Sequence, residues 1–379
     1  AACRSGGIGI EYGKTDVPNK SWYAAWGTAI YTTYPNGPLT QNGMTPTDTG
    51  VFNNDEAQNQ SFRMMIVPST AGSRVRVTFS NAFGTKPLRL NNVNIALRAA
   101  ASGAAITAAS LATITFDGLP DVTIPVGEER TSDGANITFT AGQQLAVSFH
   151  APEATGPMSW HAEAFSTQYA SQPNSGNVTL DASGAMLNNI NRGWFFLSGL
   201  DIASTASTTP PSIVMFGDSI TDGFGATPEN NDRYPDVFAR RLQAVGIVAG
   251  VVNTGINSNA VTAARDPITT AQAGTLRFAR DVLNRSNVRS VFILLGTNDL
   301  SAGVTADTVF AGLLDIAQQA HNKGLCVLVS TILPRNDPPV PFGWDAATEE
   351  PQRQRLNQLI LASTAFDATV DLARIMENP

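Results

Sequence analysis

A chain of 379 residues is longer than one ordinary core supports and predicts two domains. Its hydrophobic fraction of 42% fills globular cores, and no apolar run approaches the length of a membrane span. With a formal charge of −7, lysine only at Lys14, Lys20, Lys86 and Lys323, and no basic run, the chain argues against a nucleic-acid partner.

The first residues carry Cys3 after Ala1-Ala2 and before Ser-Gly-Gly. Two readings stay open: an unpaired thiol in a frayed terminus, or a lipid anchor left by lipoprotein-type processing. Ala1-Ala2 also fits the remnant of a processed secretory signal, so the expected location is secreted, periplasmic or cell-surface. Cys326 sits in the apolar run Leu325–Val329 and reads as a buried small hydrophobe. A pairing with Cys3 stays open as well.

The first half reads as all-β. Arg74–Phe79 alternates polar and apolar, as a half-buried strand does. Asn94–Leu97, Thr113–Phe116, Val122–Ile124, Ile137–Phe139, Leu145–Phe149 and Trp194–Leu197 are further short strands, punctuated by Gly, Pro, Asn and Asp. This spacing predicts a jelly-roll-like β-sandwich over residues 1–203. Ser204–Pro211 is small, polar and ends in two prolines, which predicts a linker over 204–211.

From residue 212 to 379 strands alternate with helices. Strand Ile213–Phe216 leads to a helix over Tyr234–Ala244, with Pro235 in its first turn. Strand Val248–Asn253, helix Thr270–Asn284, strand Val291–Leu295, helix Thr305–Asn322, strand Leu325–Ile332, helix Glu350–Ala365 and strand Thr369–Leu372 follow. That order predicts a mostly parallel sheet with helices on both faces.

Three strand ends carry chemistry. Gly217-Asp218-Ser219 closes the first strand, where open α/β sheets bind ligands. A serine there is a candidate nucleophile, and its turn aims backbone N–H groups at an attacked carbonyl. The plain alternative is a turn in which Asp-Ser caps the next helix. Gly255, in Asn253-Thr254-Gly255, is a candidate backbone donor or an ordinary turn glycine. Asn298, in Gly296-Thr297-Asn298-Asp299, is a candidate amide donor or an Asx-turn residue. Asp218 and Asp222 read as turn-shaping.

These blocks, with Asp232-Arg233-Tyr234-Pro235-Asp236 behind them, resemble the SGNH (GDSL) family of ester hydrolases. Trp22–Gly27, Ser73–Gly84, Trp160-His161 and Gly193–Gly199 resemble the β-sandwich that precedes the hydrolase domain in a bacterial secreted subgroup. The resemblance implies a flavodoxin-like SGNH domain and hydrolysis of carboxylic esters through an acyl-enzyme on Ser219. Gly255 and Asn298 would then form the oxyanion hole, with neither cofactor nor metal. It also implies a base and its orienting Asp in an Asp-x-x-His block that follows a Val-Asp-Leu strand. Val370-Asp371-Leu372 is present and no Asp-x-x-His follows Asn298, so the His and Asp of the triad are expected beyond Pro379, on a longer chain or a separate C-terminal fragment. Three histidines occur. His321 ends a helix at the wrong edge of the sheet, His150 belongs to the β half, and His161 is an alternative base, reaching the site across the domain interface. The substrate is read as a small-molecule or polysaccharide-borne ester. An acetylated carbohydrate is one alternative, and a non-catalytic carbohydrate-binding relic is another. Asn336–Trp344, with three prolines and two aromatics, reads as a pocket wall or a surface connection.

Overall fold

The computed structural model describes residues 21–36, 52–263, 271–335 and 344–377. A β-sandwich precedes an α/β domain along the chain. One sandwich sheet runs Trp22–Gly27, Leu197–Ala203, Gly72–Ser80, Glu129–Thr131, with Ala135–Phe139 beside Gly72–Ser80. The other runs Asn189–Asn191, Gln168–Ala170, Gln60–Ile66, Leu145–Ala151, Leu88–Leu97, Ala112–Thr113, with Asp121–Ile124 beside Leu88–Leu97. In Gly72–Ser80 the alternation holds: Val75, Val77 and Phe79 are buried, facing Phe62, Phe149, Phe195 and Phe196. Phe62 and Phe149 stack at 5.1 Å. Predicted strand Thr113–Phe116 is shorter, ending at Thr113, with Phe116 held only by an isolated bridge to Leu119.

Gln60–Ile66 escapes a period-2 search because all seven residues are buried. One face meets the inter-sheet core and the other a second apolar cluster containing Met65, Ala96, Ala146 and Tyr169. A strand covered on both faces has no polar side to alternate with. Arg63 lies inside it without exposure, and its guanidinium donates to Ser148 Oγ and to the carbonyls of Ala104, Thr179 and Asp181. Those bonds fasten the 179–187 loop over the sheet.

The α/β half holds five parallel strands in the order Gly250–Gly255, Ser212–Gly217, Val288–Leu294, Cys326–Ser330, Ala368–Val370. In chain order this is 2-1-3-4-5, the flavodoxin-like arrangement, whose switch point lies beside the first strand. Helix Tyr234–Ala244 begins and ends as predicted and packs Ala239 on Met215 and Val251. Helix Ala306–Asn322 buries Val309, Leu313, Ile316 and Ala320 on the other face. Its cap is Thr305, which accepts from the Thr308 amide. The helix predicted over Thr270–Asn284 is observed as Gly274–Phe278 continuing into a π-helical turn, Ala279–Leu283; Thr270 lies outside the described residues.

The two halves share packing. Ala24 joins the α/β core, and Ile256 and Ala271 join the sandwich core. Ser212 Oγ donates to Ala24 O at 3.0 Å, and Arg285 donates to Ser198 O and Thr28 O, both at 2.9 Å. Residues 204–211 run between the last antiparallel and the first parallel strand, with 205–208 exposed. Cys326 is buried and is not a free thiol; Cys3, with its anchor and pairing readings, lies outside the described residues. Among the described residues no helix is long and apolar enough to cross a membrane.

Candidate active site

Gly217, Gly255 and Leu294 stand in register at the carboxyl edge of the sheet. A Cβ on Gly217 would lie 2.1 Å from Thr221 Oγ1 and 2.5 Å from Leu294 O, so only glycine lets the chain turn there. The helical turn Ser219–Asp222 follows, with Ser219 partly exposed at its first position. The Ser219 amide is thus one of the donors that a helix start leaves unused. Asp218 caps the turn, accepting from the Ile220 amide at 3.0 Å. Burial pushes its carboxyl up to about 7, with the Ile220 bond pulling the other way. The turn-shaping reading of Asp218 therefore agrees with its geometry.

Gly255 does not present the donor expected of it. Its N–H donates to Asn253 Oδ1 at 2.9 Å, and its Cα lies under the Ser219–Asp222 turn, where a Cβ would meet Asp222 N at 2.2 Å. Its smallness serves the approach of that helix. The following loop holds the alternative. The Ile256 amide donates to Gly217 O, that of Asn257 to Asp222 Oδ2, and that of Asn259 to Ile256 O. Ser258, at φ 60, finds no acceptor for its amide among the described residues. A serine held in the left-handed region is unfavourable and marks a site that its surroundings over-determine. The Asn-Ser-Asn composition of this turn was the only sequence signal for it. Asn298 is buried and fixed to the same loop, its Nδ2 donating to Asn259 O at 2.9 Å. Asp299 holds the next stretch, accepting from the amides of Val261 (2.7 Å) and Thr262 (2.8 Å).

His161 reaches the site's edge from the sandwich but offers no base. Nδ1 faces Ala29 O at 2.8 Å and Nε2 faces Asp222 Oδ1 at 3.0 Å. Both ring nitrogens are committed to these partners, a carbonyl and a carboxylate that favour the protonated ring, so neither is free to take the Ser219 proton. Burial opposes that charge, but Asp222 and the Ala29 carbonyl outweigh it and hold the ring above its ordinary value. This corrects the reading of His161 as an alternative base and of Asp222 as only turn-shaping. His150 is held by Asn91 and Asn59, and His321 pairs with Asp367 on the far side of the sheet. Of the predicted Asn336–Trp344 wall, 336–343 lie outside the described residues. Trp344 itself is buried in the α/β core, 5.0 Å from the Arg335 guanidinium. Among the described residues no group of three His, Cys, Asp or Glu is arranged to hold a metal ion.

Glu163, two residues after His161, accepts from Asn257 Nδ2 at 2.6 Å. Burial first, then Asp222, push its carboxyl up to about 7, against the Asn257 bond and the His161 charge. A raised folded value, here for Glu163, Asp218 and His161 alike, means that the protonated form favours folding. Its contribution is complete below the unfolded value and is lost as pH rises through the folded one. The melting temperature is therefore expected to fall between about pH 5 and about pH 8, and Glu163→Gln to flatten that fall. Calorimetry across this range checks it; a wild-type melting temperature that rises throughout would refute the assignment.

Residues 215–379 match the model of the GDSL-like lipase/acylhydrolase family, starting inside the first parallel strand. No curated protein matches the chain. Among solved structures, AlinE4, an SGNH-hydrolase family esterase, is 18% identical with a TM-score of 0.37 over 46% of this chain and 83% of its own. The native M. smegmatis aryl esterase is 23% identical, TM-score 0.37, over 43% and 85%. Est24, a carbohydrate acetylesterase from Sinorhizobium meliloti, is 20% identical, TM-score 0.36, over 43% and 85%.

Proposed function

We propose that this chain cleaves carboxylic esters through an acyl-enzyme on Ser219, a reading supported by the match of residues 215–379 to the GDSL-like lipase/acylhydrolase family. The observation that carries the proposal is the placement of Ser219 at the switch point of the parallel sheet, beside a loop with an unpaired amide at Ser258 and an anchored Asn298. Ser219 Oγ attacks the acyl carbon and its proton passes to the base. The carbonyl oxygen, now an anion, is held by the amides of Ser219 and Ser258 and by Asn298 Nδ2. Donors fixed in advance at the place where charge develops lower the barrier without reorganising during the reaction. The tetrahedral intermediate collapses, the alcohol leaves with the proton, and water releases the acid from Ser219. The base and its orienting Asp are proposed to be the Asp-x-x-His pair expected beyond Pro379.

An acetylated carbohydrate is the second reading of the substrate. It is supported by a cavity of about 270 Å³ between the sandwich and helix Tyr234–Ala244, lined by Trp26, Trp194, Asn231, Arg233, Arg240 and Gln243. Aromatic walls with convergent polar groups suit a sugar-sized ligand.

Hydrolysis of a nitrophenyl acetate, with Ser219→Ala as the blank, tests the proposal. Loss of the nucleophile is expected to lower turnover by about 10³-fold or more. Equal turnover in the two chains refutes the role of Ser219. Turnover only in a C-terminally extended chain places the base beyond Pro379. Faster release of acetate from an acetylated oligosaccharide than from the aryl ester selects the carbohydrate reading.

A further inference from the structure

Four side chains close a ring across the two halves. His161 Nε2 donates to Asp222 Oδ1 at 3.0 Å, and Asp222 Oδ2 accepts from the Asn257 amide at 3.1 Å. Asn257 Nδ2 donates to Glu163 Oε2 at 2.6 Å, and Glu163 returns to His161 two residues along the same segment. All four are buried, with His161 1% and Asp222 2% exposed. The ring is anchored in the sandwich through His161 Nδ1 on Ala29 O, and the edge of His161 or Tyr31 meets the other ring at 5.4 Å. On the other side it holds both halves of the reacting centre. Asp222 belongs to the helical turn that begins at Ser219, and Asn257 precedes the unpaired amide of Ser258. Ser258 Oγ also donates to Asn257 Oδ1 at 2.9 Å, so a fixed Asn257 fixes the left-handed serine.

Burying two carboxylates with an imidazolium is a poor way to gain stability, because desolvation offsets most of the attraction and an apolar cluster of equal volume would do as well. What the ring supplies is direction, since each hydrogen bond tolerates only a narrow range of angles. We propose that His161 and Glu163 of the sandwich are positioning residues for the hydrolase site. Through Asp222 and Asn257 they set the distance between Ser219 and the Ser258 amide. The sandwich is then part of the active site, and the α/β half alone presents a misaligned oxyanion donor. This inference rests on the ester-hydrolase reading for its kinetic consequence, but its geometric content stands apart from it.

The test compares Glu163→Ala with Glu163→Gln in the full chain. Gln keeps an acceptor for Asn257 Nδ2 and removes the charge; Ala removes both. Removing a fixed oxyanion donor outright costs about 10²–10³ in kcat, so a displaced one is expected to cost about tenfold in Glu163→Ala, with KM within about twofold. Glu163→Gln is expected to keep most of the wild-type kcat. Hydrogen exchange over residues 255–262 is expected to quicken in the Ala variant and not in the Gln variant. Unchanged kcat and unchanged exchange in Glu163→Ala overturn the proposal, as does an equal loss in both variants. Should Glu163→Ala fail to fold, Asn257→Ala, which removes no charge, carries the same expectations. Should the wild-type chain turn over no ester, the reading of Ser219 fails, and the exchange data still decide whether the ring holds the loop.

Discussion

Replacing Arg277 by methionine is expected to lower stability by about 3–5 kcal/mol, the usual cost of deleting one partner of a buried, hydrogen-bonded charge. The guanidinium has no exposure and lies 4.0 Å over the Phe216 ring. It donates to Gly217 O and Thr254 O at 2.8 Å, and to Asn259 Oδ1 and Asp281 Oδ2 at 2.9 Å. Methionine fills much of the same volume but removes a donor from each of two buried strand-end carbonyls, Gly217 O keeping the Ile256 amide, and a buried group left unsatisfied costs about 1–3 kcal/mol. Asp281 keeps Arg280 at 2.9 Å, so the loss is not that of a lone carboxylate as well. Thermal unfolding is expected to move down by on the order of 10 °C. Arg277→Lys is expected to recover little, because one ammonium cannot reproduce a planar fork that serves three chain segments. Ester turnover is expected to fall well below the transition too, since Gly217 leads into Ser219 and Asn259 ends the Ser258 loop. A lysine variant as stable as the wild type would show that charge, not the fork, is what the site needs.

How much of this was legible follows from what kind of contact each residue makes. Ser219 was readable because its signal is local: a β-branched apolar strand, a Gly-Asp-Ser turn and a helix, all within eleven residues. The alternation of strands and helices was readable for the same reason, each announcing its own period, whereas the 2-1-3-4-5 order depends on which strands pair. Arg277 was not readable, because an arginine in a helical segment looks like any solvated residue until two strand ends and the Asn259 loop arrive around it. The Gln60–Ile66 strand shows the same limit on a larger scale: Gln60, Ser61 and Arg63 look exposed, and only the second apolar cluster explains their burial. His161 was suspected at the domain interface, but its role turns on both ring nitrogens facing acceptors, one of them Asp222, sixty-one positions away. Gly255 failed differently. A turn glycine is equally a close-approach donor and a spacer, and which it is depends on what packs on its Cα.

That dependence makes Gly255→Ala the sharper experiment on the nucleophile. Its expected effect is a fall in ester turnover of about 10²-fold, the scale of a 1 Å misplacement of a reacting group. The added Cβ would sit 2.2 Å from Asp222 N, 2.7 Å from Asp222 Cα and 2.7 Å from Thr221 C. All three are backbone, so no side-chain rotation relieves the clash, and ordinary contact needs about 1 Å more room. Either the Gly250–Gly255 strand slips against Ser212–Gly217, which its register opposes, or the Ser219–Asp222 turn lifts. The turn is the weaker partner: four residues long, capped by Asp218, and tied down by Asn253 Nδ2 on Thr221 O at 2.8 Å and by the Asp222 carboxylate. Lifting it carries Ser219 away from the Ser258 amide while the sheet stays intact. The stability cost is therefore expected to be modest, about 1–3 kcal/mol for an overpacked site, beside a large kinetic one. Alanine retains the backbone N–H, so a variant with near wild-type turnover would return Gly255 to the donor role and remove the spacer role argued from its packing. Turnover lost together with all cooperative unfolding would instead place the slip in the strand.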